Sequence, residues 1–339
     1  MLNQNIKTKR TKIKVLVTGA TGFTGNALAK TLCANGYDVR VFVRDKEKFF
    51  ALENNGNYDV VVGDLRDPEI VDEAVKGVEK VFHIAAIFRS AGITDQVYRD
   101  IHVKATKYLL ESSLKYGIQK FVHCSTGGVH GHIEDPPANE SYRFKPGDIY
   151  QVTKLDGEFA ALDFHKKTGL PVSVVRPTPI YGPGDLRLLK VFKLALHTPT
   201  IVLGSGEIYY HLVYIDDLVN GFILASEVEE AVGESFIIGG EDIPTLNQIL
   251  DKIAEIFNSS KFKIHLPAFP VQIAGTLCEK ICIPLGIEPP IYRRRVDFFT
   301  KSRSFDISKA KKILNYQPKV SVDEGLARTA EWYKNQNLI

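Results

Sequence analysis

The chain has 339 residues, 44% of them hydrophobic and 24% charged. That is enough apolar material to exclude disorder along the whole chain, and the length suits one large α/β domain or a domain with a lobe. Lysine plus arginine number 43 against 40 acids, a net charge of +3. Four of those bases (Lys7, Lys9, Arg10, Lys12) lie in the first 12 positions, so the rest of the chain is near neutrality and does not read as a nucleic-acid-binding body.

Residues 1–11 read as a flexible basic tail. No apolar core follows them and no run of about 18 apolar residues occurs, so neither a signal peptide nor a membrane span is expected, and a cytoplasmic location is the expectation. Cys33, Cys124, Cys278 and Cys282 are too sparse for a disulfide scaffold. Cys278 and Cys282 have the spacing of one helix face, but two thiols alone make a poor metal site.

In chain order, Lys12–Thr18 (KIKVLVT) predicts a strand, Gly19–Gly25 (GATGFTG) a tight turn, and Asn26–Asn35 a helix that Gly36 ends. Tyr37–Arg44 and Val60–Val62 predict the second and third strands, the latter leading into Gly63 and Asp64. Pro68 opens a helical stretch to Lys76. Val81–Ala86 is a fourth strand, Val97–Tyr116 a helix closed by Gly117, and Lys120–Ser125 a fifth strand. A helix from Tyr150 to Lys167 precedes a sixth strand, Val172–Arg176. Strands alternating with helices at this spacing argue for a parallel sheet covered on both faces. Beyond Pro177 prolines break the pattern into short pieces. The expected architecture is a doubly wound α/β body over 12–177, to which 210–240 return, and a smaller α/β substrate lobe from 178–209 and 241–339, with a cleft between them.

Gly19, Gly22 and Gly25 lie directly between a predicted strand and a predicted helix. There the first glycine permits the turn, the second lets backbone approach a pyrophosphate, and the third lets helix and strand pack closely. The second strand ends in Arg44, followed by Asp45. A guanidinium at this place suits a 2′-phosphate, so NADP is expected; Asp45 on the ribose of NAD is the alternative. Asp64 and Leu65 follow the third strand, where an adenine would lie, although Asp64 also reads as a turn acid. Tyr150 and Lys154 (YQVTK) share one face of the predicted helix. A lysine ammonium beside a phenol lowers its pKa, and such a tyrosine suits proton exchange with a secondary alcohol as hydride moves.

These residues, with GDLRD (Gly63–Asp67), HIAA (His83–Ala86), RPTPIYGPGD (Arg176–Asp185), VYIDDLVNG (Val213–Gly221) and FDISKAKKILNYQP (Phe305–Pro318), resemble the extended short-chain dehydrogenase/reductase family over nearly the whole chain. The resemblance implies a Rossmann fold and makes Tyr150 the acid/base. Lys154 becomes its pKa partner and a ligand of the nicotinamide ribose, and Thr126 holds the reacting oxygen, with Ser125 as its neighbour and runner-up. It places Thr21, Phe23, Ala85, Ala86 and Pro177 beside the cofactor with the three glycines, Arg44, Asp64 and Leu65. It also implies a homodimer acting on a small molecule.

Three positions depart from the family's nucleotide-sugar enzymes. Gly127 and Gly128 stand where 4,6-dehydratases carry an Asp-Glu pair. Pro179 stands where a substrate-contacting Asn is common. Tyr210 and His211 stand in place of the Arg-Asp that meets the diphosphate. Arg295, in the run Arg293–Arg295, is a candidate substrate contact beside Tyr210. The chain also resembles the hydroxysteroid and dihydroflavonol branches, which implies that the apolar stretch Ile264–Ile291 lines a pocket; lobe core or a dimer contact fits it equally. His123, Cys124, His130 and His132 straddle a strand end and a glycine turn and are read as hydrogen-bonded residues, with no metal expected. The sequence thus points to an NAD(P)-dependent oxidoreductase interconverting a secondary alcohol and a ketone. A nucleotide-sugar epimerase with a retained NAD is the alternative.

Overall fold

A computed structural model of the chain describes residues 12–52, 54–89, 92–282, 285 and 293–339; the basic tail lies outside the described residues, as do the side chains of 293–295 and 298. Seven strands form the main sheet: β1 (Lys14–Thr18), β2 (Asp38–Val43), β3 (Tyr58–Val62), β4 (Lys80–His83), β5 (Lys120–Cys124), β6 (Val172–Pro177) and Ser235–Ile238. Their order is Ser235–Ile238, β6, β5, β4, β1, β2, β3. The ladders β1–β2, β1–β4, β2–β3 and β4–β5 are parallel, with Leu16 opposite Arg40 on one side and Val81 on the other. The 3-2-1-4-5-6 succession is that of a doubly wound dinucleotide-binding sheet, and its direction of winding reverses at β1. The predicted Rossmann architecture is therefore present.

The first helices are α1 (Phe23–Ala34), α2 (Lys46–Phe50), α3 (Pro68–Val75), α4 (Asp95–Arg99), α5 (Ala105–Lys115) and α6 (Ile149–Thr168). The helix expected over Val97–Tyr116 is interrupted by a π turn at Asp100–Lys104. The interruption has a packing reason. The His102 carbonyl accepts from the Thr106 hydroxyl at 2.8 Å, and a Cβ on Gly157 of α6 would stand 2.3 Å from that oxygen. Helical periodicity alone does not reveal such a bulge.

The chain divides into two compact units. One comprises Met1–Cys124, Asp156–Val174 and Val232–Glu234; the other Ser125–Leu155, Val175–Ala231 and Ser235–Ile339. In the first, Leu16, Phe42, Val81 and Phe121 from the strands meet Val71, Ala74 and Val75 of α3, Leu109 and Leu110 of α5, and Ala161 of α6. The alternation read from the sequence brings these faces together, and removing them from water supplies most of this unit's stability. In the second, Phe192 meets Tyr333 and Phe257 edge-on, and a Thr245–Gln248 capping box starts the helix Leu246–Ile256. The Asp217 carboxylate ties down the later chain by accepting from the backbone of Lys319 and Val320.

Candidate functional site

The glycine turn leaves β1 where the winding reverses. Gly19 has φ +76°, and a Cβ there would stand 2.8 Å from the Ala85 backbone that follows β4. A Cβ on Gly25 would stand 2.3 Å from the Gly19 carbonyl oxygen. Both positions therefore exclude a side chain. Gly22 donates to the Gly19 carbonyl at 2.9 Å, is exposed, and precedes the first residue of α1 without a side-chain cap. This cradle fits a dinucleotide: backbone is the surface presented, and a helix N-terminus faces outward. Thr21 and Phe23 flank it half-buried, Ala85 is half-buried, and Ala86 is exposed.

A chain of buried side chains, not singled out in the sequence, holds the Ala85 end of this cradle. The Thr18 hydroxyl oxygen accepts from the backbone N–H of Ile84 and Ala85, both at 3.1 Å. Its own proton then points to His83 Nδ1 at 2.9 Å, so His83 Nε2–H donates to Thr106 at 3.0 Å, and Thr106 passes its proton to the His102 carbonyl. His102 Nε2 accepts from the Ile87 backbone at 3.0 Å. The only sequence trace of this relay is polarity where strand core is expected, at Thr18 and His83.

At the end of β2, Arg44 is exposed, while Asp45 accepts from Lys48 N at 2.8 Å as the cap of α2. The Asp64 carboxylate meets Arg66 through two bonds at 2.9 and 2.7 Å, and the Arg66 guanidinium holds it below the usual carboxylate range. Leu65 packs against the first unit's core.

Thr126, Tyr150 and Lys154 all fall in the second unit. Thr126 caps a short 3-10 turn, Gly127–His130, and its hydroxyl accepts from Gly128 N at 3.1 Å. Gln151, next to Tyr150, accepts from Gly147 N at 2.6 Å through Oε1, and its Nε2 stands 3.0 Å from where a Gly128 Cβ would lie. The first turn of α6 is thereby packed on the Thr126 turn. Tyr150 is half-buried and Lys154 is 2% exposed, one helical turn further along α6. Ser125 is buried behind Thr126, its N–H donating to the Val175 carbonyl at 2.7 Å. The helix predicted from Tyr150 begins at Ile149.

The sequence model of the NAD-dependent epimerase/dehydratase family matches residues 15–239. The chain belongs to that family. A 3-beta-hydroxysteroid dehydrogenase of Mycolicibacterium neoaurum is 29% identical, over 94% of this chain and 91% of its own length. The sterol-4-alpha-carboxylate 3-dehydrogenase, decarboxylating, of Mus musculus is 29% identical over 94% and 90%. A crystal structure of UDP-glucuronic acid 4-epimerase from Bacillus cereus in complex with NAD superposes with TM-score 0.75 at 27% identity, covering 95% of this chain and 99% of that one. The relatives of this family member thus include steroid and sterol dehydrogenases and an epimerase that binds NAD.

Within the family, two of the three departures acquire a geometry. A Cβ on Gly127 would stand 3.1 Å from the carbonyl oxygen of the buried Pro177 and 3.2 Å from Phe305 Cζ, closer than most real contacts. Tyr210 carries the Arg303 guanidinium over its ring at 5.5 Å. His211 is buried; Nδ1 accepts from Phe305 N at 3.3 Å and Nε2 donates to the Gly240 carbonyl at 2.8 Å, so the ring is neutral, and burial pushes its pKa down. Arg293–Thr300 is helical, but the side chain of Arg295 lies outside the described residues. Of the other histidines in that stretch, His130 stacks on Phe144 and accepts from Arg176 at 3.3 Å, His132 Nδ1 accepts from Ser302 N at 3.0 Å, and the His123 ring lies 5.4 Å from that of His83. Among the described residues no group of three or more His, Cys, Asp and Glu could hold a metal.

Proposed function

We propose that this protein is an NAD(P)-dependent oxidoreductase that interconverts a secondary alcohol and a ketone on an apolar, steroid-like substrate. Thr126 holds the reacting oxygen and Tyr150 takes or returns its proton. Lys154 lowers the phenol pKa and bonds the nicotinamide ribose. The nicotinamide supplies a site that takes hydride from the carbinol carbon or gives it back. The glycine cradle with Thr21, Phe23, Leu65, Ala85, Ala86 and Pro177 holds the cofactor. With Asp45 used as a helix cap, Arg44 favours NADP at the β2 end.

The observation that carries the choice of reaction is the crowding at Gly127. Elimination of water needs a second acid/base pair after Thr126; both positions are glycine here, and at the first even a Cβ would be crowded. The steroid-like substrate draws support from the hydroxysteroid and sterol dehydrogenases among the relatives. Tyr210 in place of an arginine speaks against a diphosphate at that spot.

The test combines turnover with cofactor release. Tyr150→Phe should lower kcat by about 10²–10⁴ on a 3-hydroxysteroid while NADPH affinity stays unchanged. Full activity in that variant would overturn the assignment. Release of a tightly held NAD on denaturation would instead favour the epimerase.

A further inference from the structure

We propose that the helix Ala268–Cys282, together with the strand Lys263–Leu266, docks on an anionic lipid surface. The helix carries a ridge of large apolar side chains at four-residue spacing, and all of them face water: Phe269 is 70% exposed, Ile273 46%, Leu277 54% and Ile281 60%. Phe262, Ile264 and Leu266 are exposed just before it, and so is Ile201, the register partner of Ile264 on the adjacent strand. Only Gly275 of the helix is buried, and the helix packs on Arg293–Thr300. Soluble proteins rarely show apolar patches of this size unless something covers them.

Charge identifies what covers this one. Between residues 251 and 301, a span that includes the Asp251 and Glu255 partners of Lys263 and Lys261, the sequence holds eight lysines and arginines against five acids, so this stretch has a net +3, equal to that of the whole chain. Lys280, on the helix itself, is exposed; Lys261 is exposed too and pairs with Glu255 at 3.0 Å. Two copies of the chain meeting here would bring like charges together, whereas anionic headgroups complement them. The helix has 15 residues, about 22 Å of rise, short of the roughly 30 Å of a hydrocarbon core. Among the described residues no helix is long and apolar enough to cross a membrane. The geometry is that of a helix lying in the interface with its ridge inserted. The inference rests on the apolar substrate proposed above to this extent: such an alcohol resides in lipid, and docking would bring the enzyme to it.

The full chain would be floated with vesicles of phosphatidylcholine alone and of phosphatidylcholine mixed equally with phosphatidylglycerol. Binding should be stronger to the anionic vesicles by about tenfold or more. The exposed-face variant Phe269→Ser/Ile273→Ser/Leu277→Ser should lose binding, with its NADPH titration retained as proof of folding. No flotation with either vesicle overturns the proposal, and so does flotation that the triple variant leaves intact. A dimer in light scattering that the variant dissociates, without flotation, assigns the face to a second copy and also overturns it. Tyr150→Phe should float like the parent chain. Loss of flotation with turnover of a water-soluble alcohol intact would therefore reject the docking alone, and flotation without any reductase activity would reject the proposed reaction alone.

Discussion

Gln151 leans on Gly128, its amide nitrogen 3.0 Å from the place a Cβ would take, while the neighbouring Gly127 faces the Pro177 carbonyl at 3.1 Å. The two glycines are therefore unequal. A flexible amide yields a few tenths of an ångström easily, and a backbone carbonyl in a strand does not. Gly128→Ala should keep kcat within about threefold of the parent. Gly127→Ala should displace the Thr126 turn, lower kcat by about tenfold or more, and cost about 1–3 kcal/mol of stability. Steady-state kinetics and thermal unfolding of the two variants, side by side, check the contrast.

Thr18 accepts from two backbone N–H groups, those of Ile84 and Ala85. Thr18→Val keeps the shape and removes the acceptor, so it should destabilise the protein by about 1–3 kcal/mol per orphaned donor and weaken NADPH binding. Thr18→Ser should restore both. Urea melts paired with fluorescence titration read the two effects; retention of full cofactor affinity in Thr18→Val would detach the relay from the cradle.

Arg44 gives the cofactor preference a direct test. Arg44→Ala should reduce affinity for NADPH by about ten- to a hundredfold and leave NADH nearly unchanged, since a charge-assisted contact to a 2′-phosphate is worth about 1.5–3 kcal/mol. Asp45→Ala, by contrast, removes the cap of α2 and should cost stability of about 0.5–2 kcal/mol.

His211 supplies a pH dependence. Burial holds its folded pKa below the ordinary value of 6.5, so the unfolded chain binds the extra proton more readily than the folded one. The resulting stability is fully present above about pH 6.5 and is lost as pH falls below it. Calorimetry should show Tm decreasing from about pH 7.5 to pH 5.5. His211→Gln, which does not titrate, should be less stable at neutral pH and show a shallower decline.

Much of this was legible before any coordinates. The alternation of strands and helices predicted the parallel sheet because buried parallel strands need apolar runs and crossovers need helices. The strand-turn-helix setting made Gly19 and Gly25 readable as the glycines of a tight turn and of close helix–strand packing, and the structure shows that a Cβ at either would collide with backbone. Tyr150 and Lys154 read from their spacing as neighbours on one helix face, and α6 sets them one turn apart. The Thr18–His83–Thr106 relay was not, because it joins residues 65 and 23 positions apart whose pairing depends on strand register. The π turn at Asp100–Lys104 was hidden for a similar reason: its cause, Gly157, lies on another helix. The apolar stretch from Ile264 was visible as composition, but whether it faced inward or outward needed the fold.

The two units are interleaved along the chain: the first recruits Asp156–Val174 and Val232–Glu234 long after Cys124. Neither can be cut out as one continuous fragment. During synthesis the amino-terminal unit stays unfinished until Glu234 has left the ribosome, by which time much of the second is already translated. The nascent chain thus carries an incomplete sheet with open strand edges for over a hundred residues, the interval in which aggregation competes and chaperones act.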